Sequence, residues 1–264
     1  MHGTQVLARA LAILNAVRGG CSDLAAIGRE TGMSKSTTNR LVLFLQRSGL
    51  LRFTEGRGYC LGPKLVELGA AALEQMPLTS LARPHLERLS QQTGDTVHLS
   101  VRDGDVIIYI DKISSSKGLE MRSRVGRQSL MATTGTGKAM MLDLAEEEWA
   151  HLYSLAHSAV ILADVPPPGF LAWEDYRQTM RDYRAKGFTM EFEETEGGIH
   201  SVAAPIRNAQ GGIVAAVSIA STVPYMPRER MQTLVPVVMA CAAAISAELG
   251  FHGERRPVDR PGRG

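Results

Sequence analysis

The hydrophobic pattern opens with a helix. Val6, Leu7, Ala10, Leu11, Ile13, Leu14 and Val17 fall on one stripe at helical spacing. Gly19-Gly20 ends it. The next stretch, SDLAAIGRETGMSKSTTNRLVLFLQRSGLL, reads as two short helices. Ser22 or Asp23 can cap the first, which runs to Thr31, and Gly32 supplies the turn. Ser34 or Ser36 can cap the second, whose apolar Leu41 and Leu45 lie one helical turn apart. Ala25 and Gly28 are small where the two must cross closely. Short helices joined by a glycine turn make a helix-turn-helix. GLLRFTEGRGYCLG then predicts a β-hairpin, with Leu51, Phe53, Tyr59 and Leu61 flanking a turn at Glu55-Gly56-Arg57-Gly58. Helix-turn-helix plus hairpin is a winged helix.

Residues 64–74 predict a connecting helix that ends near Pro77. Another helix follows, with Leu78, Leu81, Leu86 and Leu89 inward, Thr93-Gly94 closing it and Pro84 starting or kinking it. From residue 96 the period changes to two. TVHLSVRDGDVIIYIDKI is a strand, an Asp103-Gly104 turn and a second strand. Residues 119–125 add a strand, and a Gly-rich turn opens helix 137–144, continued by 145–156. Residues 166–169 break the chain, and 173–186 form an amphipathic helix ended by Gly187. FTMEF is a strand, residues 208–212 turn a hairpin, and a long helix spans 227–249. The tail after 252 is rich in Arg, Pro and Gly and reads as disordered. The class is α+β: an N-terminal winged helix-turn-helix (1–63), a linker helix (64–76), an antiparallel-sheet domain (77–250) and a disordered tail (251–264).

Composition adds little until it is divided. The 264 residues are 44% hydrophobic and 21% charged, as in a globular protein of one or two domains. No uninterrupted apolar run reaches the length of a membrane helix, and no signal peptide is evident. Cys21, Cys60 and Cys241 are odd in number and far apart, which fits reduced thiols in a cytoplasm. The net charge of +2 hides an asymmetry: residues 1–64 carry +6 and the remainder −4. A basic N-terminal unit suits a polyanion; charge alone leaves a plain solvated surface equally open. Lys35, Ser36, Thr37, Thr38, Asn39 and Arg40 begin the second helix of the pair, where a recognition helix meets base edges and phosphates. Arg52 and Arg57 sit where a wing touches the DNA backbone. The turn, the hydroxyl-rich helix start, the wing and the charge together indicate DNA binding.

Other chemistry fits poorly. TGTGKAM resembles a phosphate-binding loop, but that motif needs glycine at 132 and a hydroxyl at 139, and the chain has Ala132 and Ala139. His98, His200, Ser201 and Glu191 are the candidates for an enzyme. His200 and Ser201 are neighbours on a strand and point to opposite faces. His98 reads as a packed or solvent-facing residue. Neither G-x-S-x-G, H-E-x-x-H nor C-x-x-C occurs, so no catalytic residue, metal or cofactor is expected.

RALAIL, TGMSKSTTNRLVLFL, YCLGPKLVELG, ATTGTGKAMM, EETEGGIHSVAAPI and IVAAVSIAS, in this order over residues 5–250, resemble the IclR family of bacterial transcription regulators. The resemblance implies a winged helix joined to a GAF-like effector domain. It implies dimers or dimers of dimers on palindromic double-stranded operators, and a small organic acid as effector. The effector positions fall on Gly135, Thr136, Glu191, Ser201 and Ser218. Met131 stands where a His is frequent, Ser201 where some members have Cys, Glu191 in place of a shorter acid and Ala220 in place of a second serine, so the pocket is altered in size and polarity. In physical terms, Gly135 and Gly137 would let backbone N–H groups face an anion. Thr136, Ser201 and Ser218 offer short hydroxyls, and Glu191 accepts from a hydroxyl but repels a near carboxylate. The expected function is a ligand-responsive, cytoplasmic transcription regulator that acts as a repressor. The alternatives are a DNA-binding scaffold with a vestigial pocket, or an enzyme.

Overall fold

A computed structural model describes residues 2–74, 77–117, 121–163, 167–251 and 253. The chain divides into two compact units, Met1–Met76 and Pro77–Gly264. The first contains α1 (His2–Arg18), α2 (Leu24–Thr31), α3 (Lys35–Arg47), β1 (Leu51–Thr54), β2 (Gly58–Leu61) and α4 (Pro63–Glu74). Asp23 caps α2 by accepting from the backbone N–H of Ala25 and Ala26, and Gly32 closes it at φ 64°. Ser34 caps α3. Ile13, Val17, Ile27, Leu41, Val42, Leu45 and Leu51 form the core of this unit. β1 and β2 pair antiparallel, Leu51 opposite Leu61, and the Phe53 and Tyr59 rings meet edge to face at 5.2 Å. Gly58 must be glycine: a Cβ there would lie 2.1 Å from the Ser22 carbonyl oxygen, which accepts from Tyr59 N–H.

Two details differ from the sequence pattern. The stripe on α1 is only half inward. Its buried positions, Ile13, Ala16 and Val17, lie in the last turns, where α2, α3 and β2 meet it, while Leu7 is 68% and Leu11 61% exposed. Ala25 is exposed, so the close crossing of α2 and α3 rests on Gly28, whose added Cβ would stand 3.4 Å from Thr38 Oγ1.

The second unit begins with α5 (Pro77–Thr93), which runs through Pro84. Its strands are β3 (Thr96–Asp103), β4 (Val106–Ile113), β5 (Gln128–Leu130), β6 (Thr189–Phe192), β7 (Ile199–Arg207) and β8 (Ile213–Thr222). They form one antiparallel sheet in the order β5-β4-β3-β8-β7-β6. The helices are α6 (Gly135–Met140), α7 (Glu146–Ile161), α8 (Trp173–Lys186) and α9 (Arg228–Glu248). Ser201 and Ala203 of β7 face Gly135 of α6, whereas His200 Nδ1 lies 2.8 Å from the carbonyl oxygen of Met226, just before α9. Strand alternation therefore puts α6 and α9 on opposite faces of the sheet. By length and apolar composition α9 is able to span a membrane. Here Met231, Val238, Ala242 and Ile245 are buried, and the helix packs on β7 and α5.

The strand expected at 119–125 is absent from the described part, 121–125, and the edge strand is β5. The physical reason is a side chain: Lys112 Nζ donates to the carbonyls of Met121 and Ser123, at 3.1 and 2.6 Å, in place of a strand ladder. Residues 119, 120 and 166, and the tail except 251 and 253, lie outside the described residues. The helix expected at 137–144 starts earlier, at Gly135, because Thr134 caps it.

Candidate effector pocket and DNA-reading head

In the first unit the start of α3 presents Lys35, Ser36, Asn39 and Arg40 to solvent. Thr37 is half-buried, and its hydroxyl accepts from Ser34 Oγ at 3.0 Å. Thr38 differs from the expectation. It is fully buried and its hydroxyl donates to the Ser34 carbonyl at 3.0 Å, so it packs the helix pair and has no donor left for a base edge. Arg52 and Arg57 are exposed on the hairpin. The face of α3 that holds Arg40 continues through Leu43 and Phe44, the latter 63% exposed. Sequence reasoning missed this pair, although the inward stripe of Leu41 and Leu45 already left it outside.

In the second unit all five expected effector residues, Gly135, Thr136, Glu191, Ser201 and Ser218, line one cavity of about 60 Å³ on the α6 face of the sheet. Gly135 is glycine for room: a Cβ would lie 2.5 Å from Ser201 Oγ. Ser201 Oγ donates to Glu191 Oε2 at 2.9 Å, and Thr195 N–H donates to Oε1 at 3.2 Å. β6 and β7 make this contact possible by setting Glu191 directly opposite Ser201. The anion nest expected at the glycines is partly spent, because Gly137 N–H donates to Thr134 Oγ1 at 3.0 Å. Gly137 serves a tight turn, as a Cβ would lie 2.2 Å from the Met131 carbonyl oxygen.

The cavity also has walls that sequence reasoning missed. His98 pairs with Ser218 across β3 and β8, and Ser218 Oγ lies 3.4 Å from its Nδ1. Its Nε2 is 2.7 Å from Ser123 Oγ, and its ring stands 5.0 Å from that of Tyr109. Burial, with help from Lys112, pushes the His98 pKa down to about 3, so the ring is neutral. Burial, then the nearby Glu191, pushes Tyr109 up to about 12. Arg122 and Arg127 stand at the rim, Arg122 paired with Glu196 at 3.2 Å. The alternation of β3 carried a signal for His98, but only the β3–β8 register shows what it faces.

Lys138, the lysine of TGTGK, is 1% exposed and pairs with the buried Glu194 at 2.5 Å. Burial lowers its proton affinity, but Glu194, with Tyr183 and Glu191, together outweigh that and raise it. Glu191 is 4% exposed; burial first, then Glu194, push its pKa up to about 7. Catalysis finds little support here. His200 and Ser201 face opposite sides, and the close Ser–His contacts, from Ser123 and Ser218, both use a histidine with almost no proton affinity at neutral pH. Among the described residues, no cluster of His, Cys, Asp or Glu is arranged to hold a metal ion.

Two family models cover most of the chain: the IclR helix-turn-helix domain over residues 6–55 and the bacterial transcriptional regulator IclR C-terminal domain over 70–247. The chain belongs to the IclR family. It is thus a ligand-responsive, DNA-binding transcription regulator with the reading head first and the sensor second. Among its IclR relatives is the HTH-type transcriptional regulator KdgR of Escherichia coli, 30% identical over 230 residues, which span 87% of this chain and 86% of that one. Another is the DNA-binding transcriptional repressor YiaJ of the same species, 30% identical over 94% of this chain and 89% of that one. A crystal structure of an IclR homolog complexed with 4-hydroxybenzoate, from Microbacterium hydrocarbonoxydans, superposes with a TM-score of 0.77 at 21% identity, over 92% of this chain and 98% of that chain.

Proposed function

We propose that this IclR-family regulator senses a small organic acid in the cavity of its second unit and represses transcription from a palindromic operator. The convergence of Gly135, Thr136, Glu191, Ser201 and Ser218 on one cavity carries this reading. The site is concave and polar groups from several elements converge on it, as in a small-molecule site. The 4-hydroxybenzoate bound by a structural relative and the repressor name of YiaJ support the ligand class and the sign of control. On the DNA side, Lys35, Ser36, Asn39 and Arg40 read the major groove, Thr37 adds a backbone contact, and Arg52 and Arg57 hold phosphates.

The working unit is a homodimer or a dimer of dimers in the cytoplasm. The exposed stripe of Val6, Leu7 and Leu11 on α1 supports pairing with a second copy, since a helix in water gains by covering such a face. Residues 64–76 transmit the signal, because they join sensor to head in the chain. The effector must bind the two arrangements of the heads unequally, or operator affinity cannot change. The protein is not an enzyme on this reading, as the neutral His98 is a poor base.

A thermal-shift screen against small carboxylates, keto acids and aromatic acids tests the proposal, followed by operator binding with each hit. A hit that raises the melting temperature and releases the upstream DNA supports it. Intact DNA binding with no hit would favour a regulator whose pocket is vestigial.

A further inference from the structure

The buried charge cluster that includes the cavity-lining Glu191 is one positive charge short. Lys138 on α6 and Glu194 in the loop after β6 pair at 2.5 Å, and both are buried. Glu191 is a second buried carboxylate beside them, close enough for each charge to act on it. Two carboxylates thus share one ammonium where water does not reach. Lys112 on β4 gives its ammonium to the carbonyls of Met121 and Ser123, and the other inner neighbours bring no cation. Ser201 on β7 and the Thr195 N–H give hydrogen bonds but no charge. His98 on β3 is neutral, and Tyr109 on β4 keeps its proton. Tyr176 and Tyr183 on α8, behind Glu194, are also protonated phenols. Arg122 and Arg127 lie out at the solvent-exposed rim, where Glu196 already pairs with Arg122.

We propose that the pocket takes a monocarboxylate together with one proton, held by Glu191, and rejects dianions of similar size. This rests on the acid-sensing reading above. A carboxylate entering past Ser218 and Ser201 meets Glu191. If Glu191 were ionised, two like charges would face each other in a desolvated site, which costs more than solvent exchange returns. A proton from water settles on Glu191, which then donates to the incoming carboxylate. The inner cluster carries −1 with the ligand bound, as it did when empty and unprotonated. The raised proton affinity of Glu191 in the empty pocket agrees with this balance. A dianion would bring a second charge that no inner group neutralises.

The test uses the full chain. Carbon-13 NMR of protein labelled at the glutamate carboxyls, compared with Glu191→Gln, is expected to show one carboxyl that titrates near neutrality and is missing from the variant. Calorimetric titration then uses pyruvate and 4-hydroxybenzoate as monocarboxylates and malonate as a dianion, in buffers of different ionisation heat. From pH 6 to 8.5, binding of a monocarboxylate should weaken about 30-fold, with proton uptake rising from about 0.1 to about one per ligand, while Glu191→Gln stays flat. The wild-type profile stands even if the variant does not fold. A Glu191 that titrates in the ordinary carboxyl range overturns the proposal, as does malonate binding as tightly as pyruvate. Binding that ignores pH and is lost in Arg127→Gln would put the carboxylate at the rim and also overturn it, leaving acid sensing intact. If no carboxylate bound at either pH, acid sensing itself would fall, and the coupling with it.

Discussion

The two units of the chain treat polarity in opposite ways. On α3 the charged and amide side chains reach into solvent, with Asn39 and Arg40 exposed. In the sensor unit Lys138 is bonded to Glu194, Ser201 to Glu191 and His98 to Ser218, all of them buried. A surface meant for a polyanion gains by keeping its donors in water until the partner arrives, since counterion release then contributes to binding. A pocket meant for a small molecule has to be built before the ligand comes, and a buried polar group left unpaired is costly. The same residue types therefore have different jobs. Arg40 is exposed, so its replacement should leave folding intact, whereas Lys138 is buried and ion-paired within the frame.

The largest effect is expected from Lys138→Met. It leaves Glu194 and Glu191 together without their ammonium and should cost about 3–5 kcal/mol of stability in the sensor unit. Chemical denaturation followed by Trp149 and Trp173 reads this, and a loss below about 1 kcal/mol would deny the pair its structural part. Next comes Arg40→Ala, with operator affinity falling by about 1–3 kcal/mol while the melting curve stays in place. Fluorescence anisotropy at fixed salt decides; unchanged affinity removes Arg40 from the reading face. Asp23→Ala removes the cap of α2 and should destabilise only the head, by about 1 kcal/mol. Hydrogen exchange resolved by unit checks this, and equal loss in both units would break the comparison. The smallest effect is Arg57→Ala, which should weaken binding to all DNA sequences alike and reduce the salt slope by about 0.9. An altered sequence preference would make the wing a base reader.

The sensor unit also carries a titrating group in its interior. Burial raises the Glu191 pKa to about 7 in the folded state from an ordinary 4.5. A carboxyl with a raised folded pKa favours the folded state fully below its unfolded value, and that contribution is lost as pH rises through about 7. The sensor should therefore be less stable at pH 8 than at pH 5 on this account, and Glu191→Gln should remove the difference. Denaturant midpoints at the two pH values measure it.

Much of this was legible in the sequence, for physical reasons that can be named. Caps and turns are local, so Asp23, Gly32, Ser34 and Gly187 marked their helix ends in advance. The hairpin of β7 and β8 was equally local. The five effector positions came from the family resemblance, and their meeting in one cavity is a fact of the fold. What stayed hidden depends on register and depth. Thr38 looked like its hydroxylic neighbours but turns inward against Gly28. His98 acquires its place only when β3 lies beside β8. Lys138 looked like half of a phosphate loop, and only its distant partner Glu194 explains it. The strand expected at 119–125 fails in its described part, 121–125, because no pattern of apolar residues reveals a lysine clasping two carbonyls.

The place of β8 beside β3 has a consequence in time. The pocket contact between His98 and Ser218 spans 120 positions of the chain, whereas the head closes its core within residues 13–51. A ribosome delivers the chain from its N-terminus, and domains fold as they emerge. The head is thus complete while β8 is still being made. During that interval the nascent chain has its reading head but lacks the wall of the cavity that β8 supplies, and any truncation before residue 213 would lack it permanently.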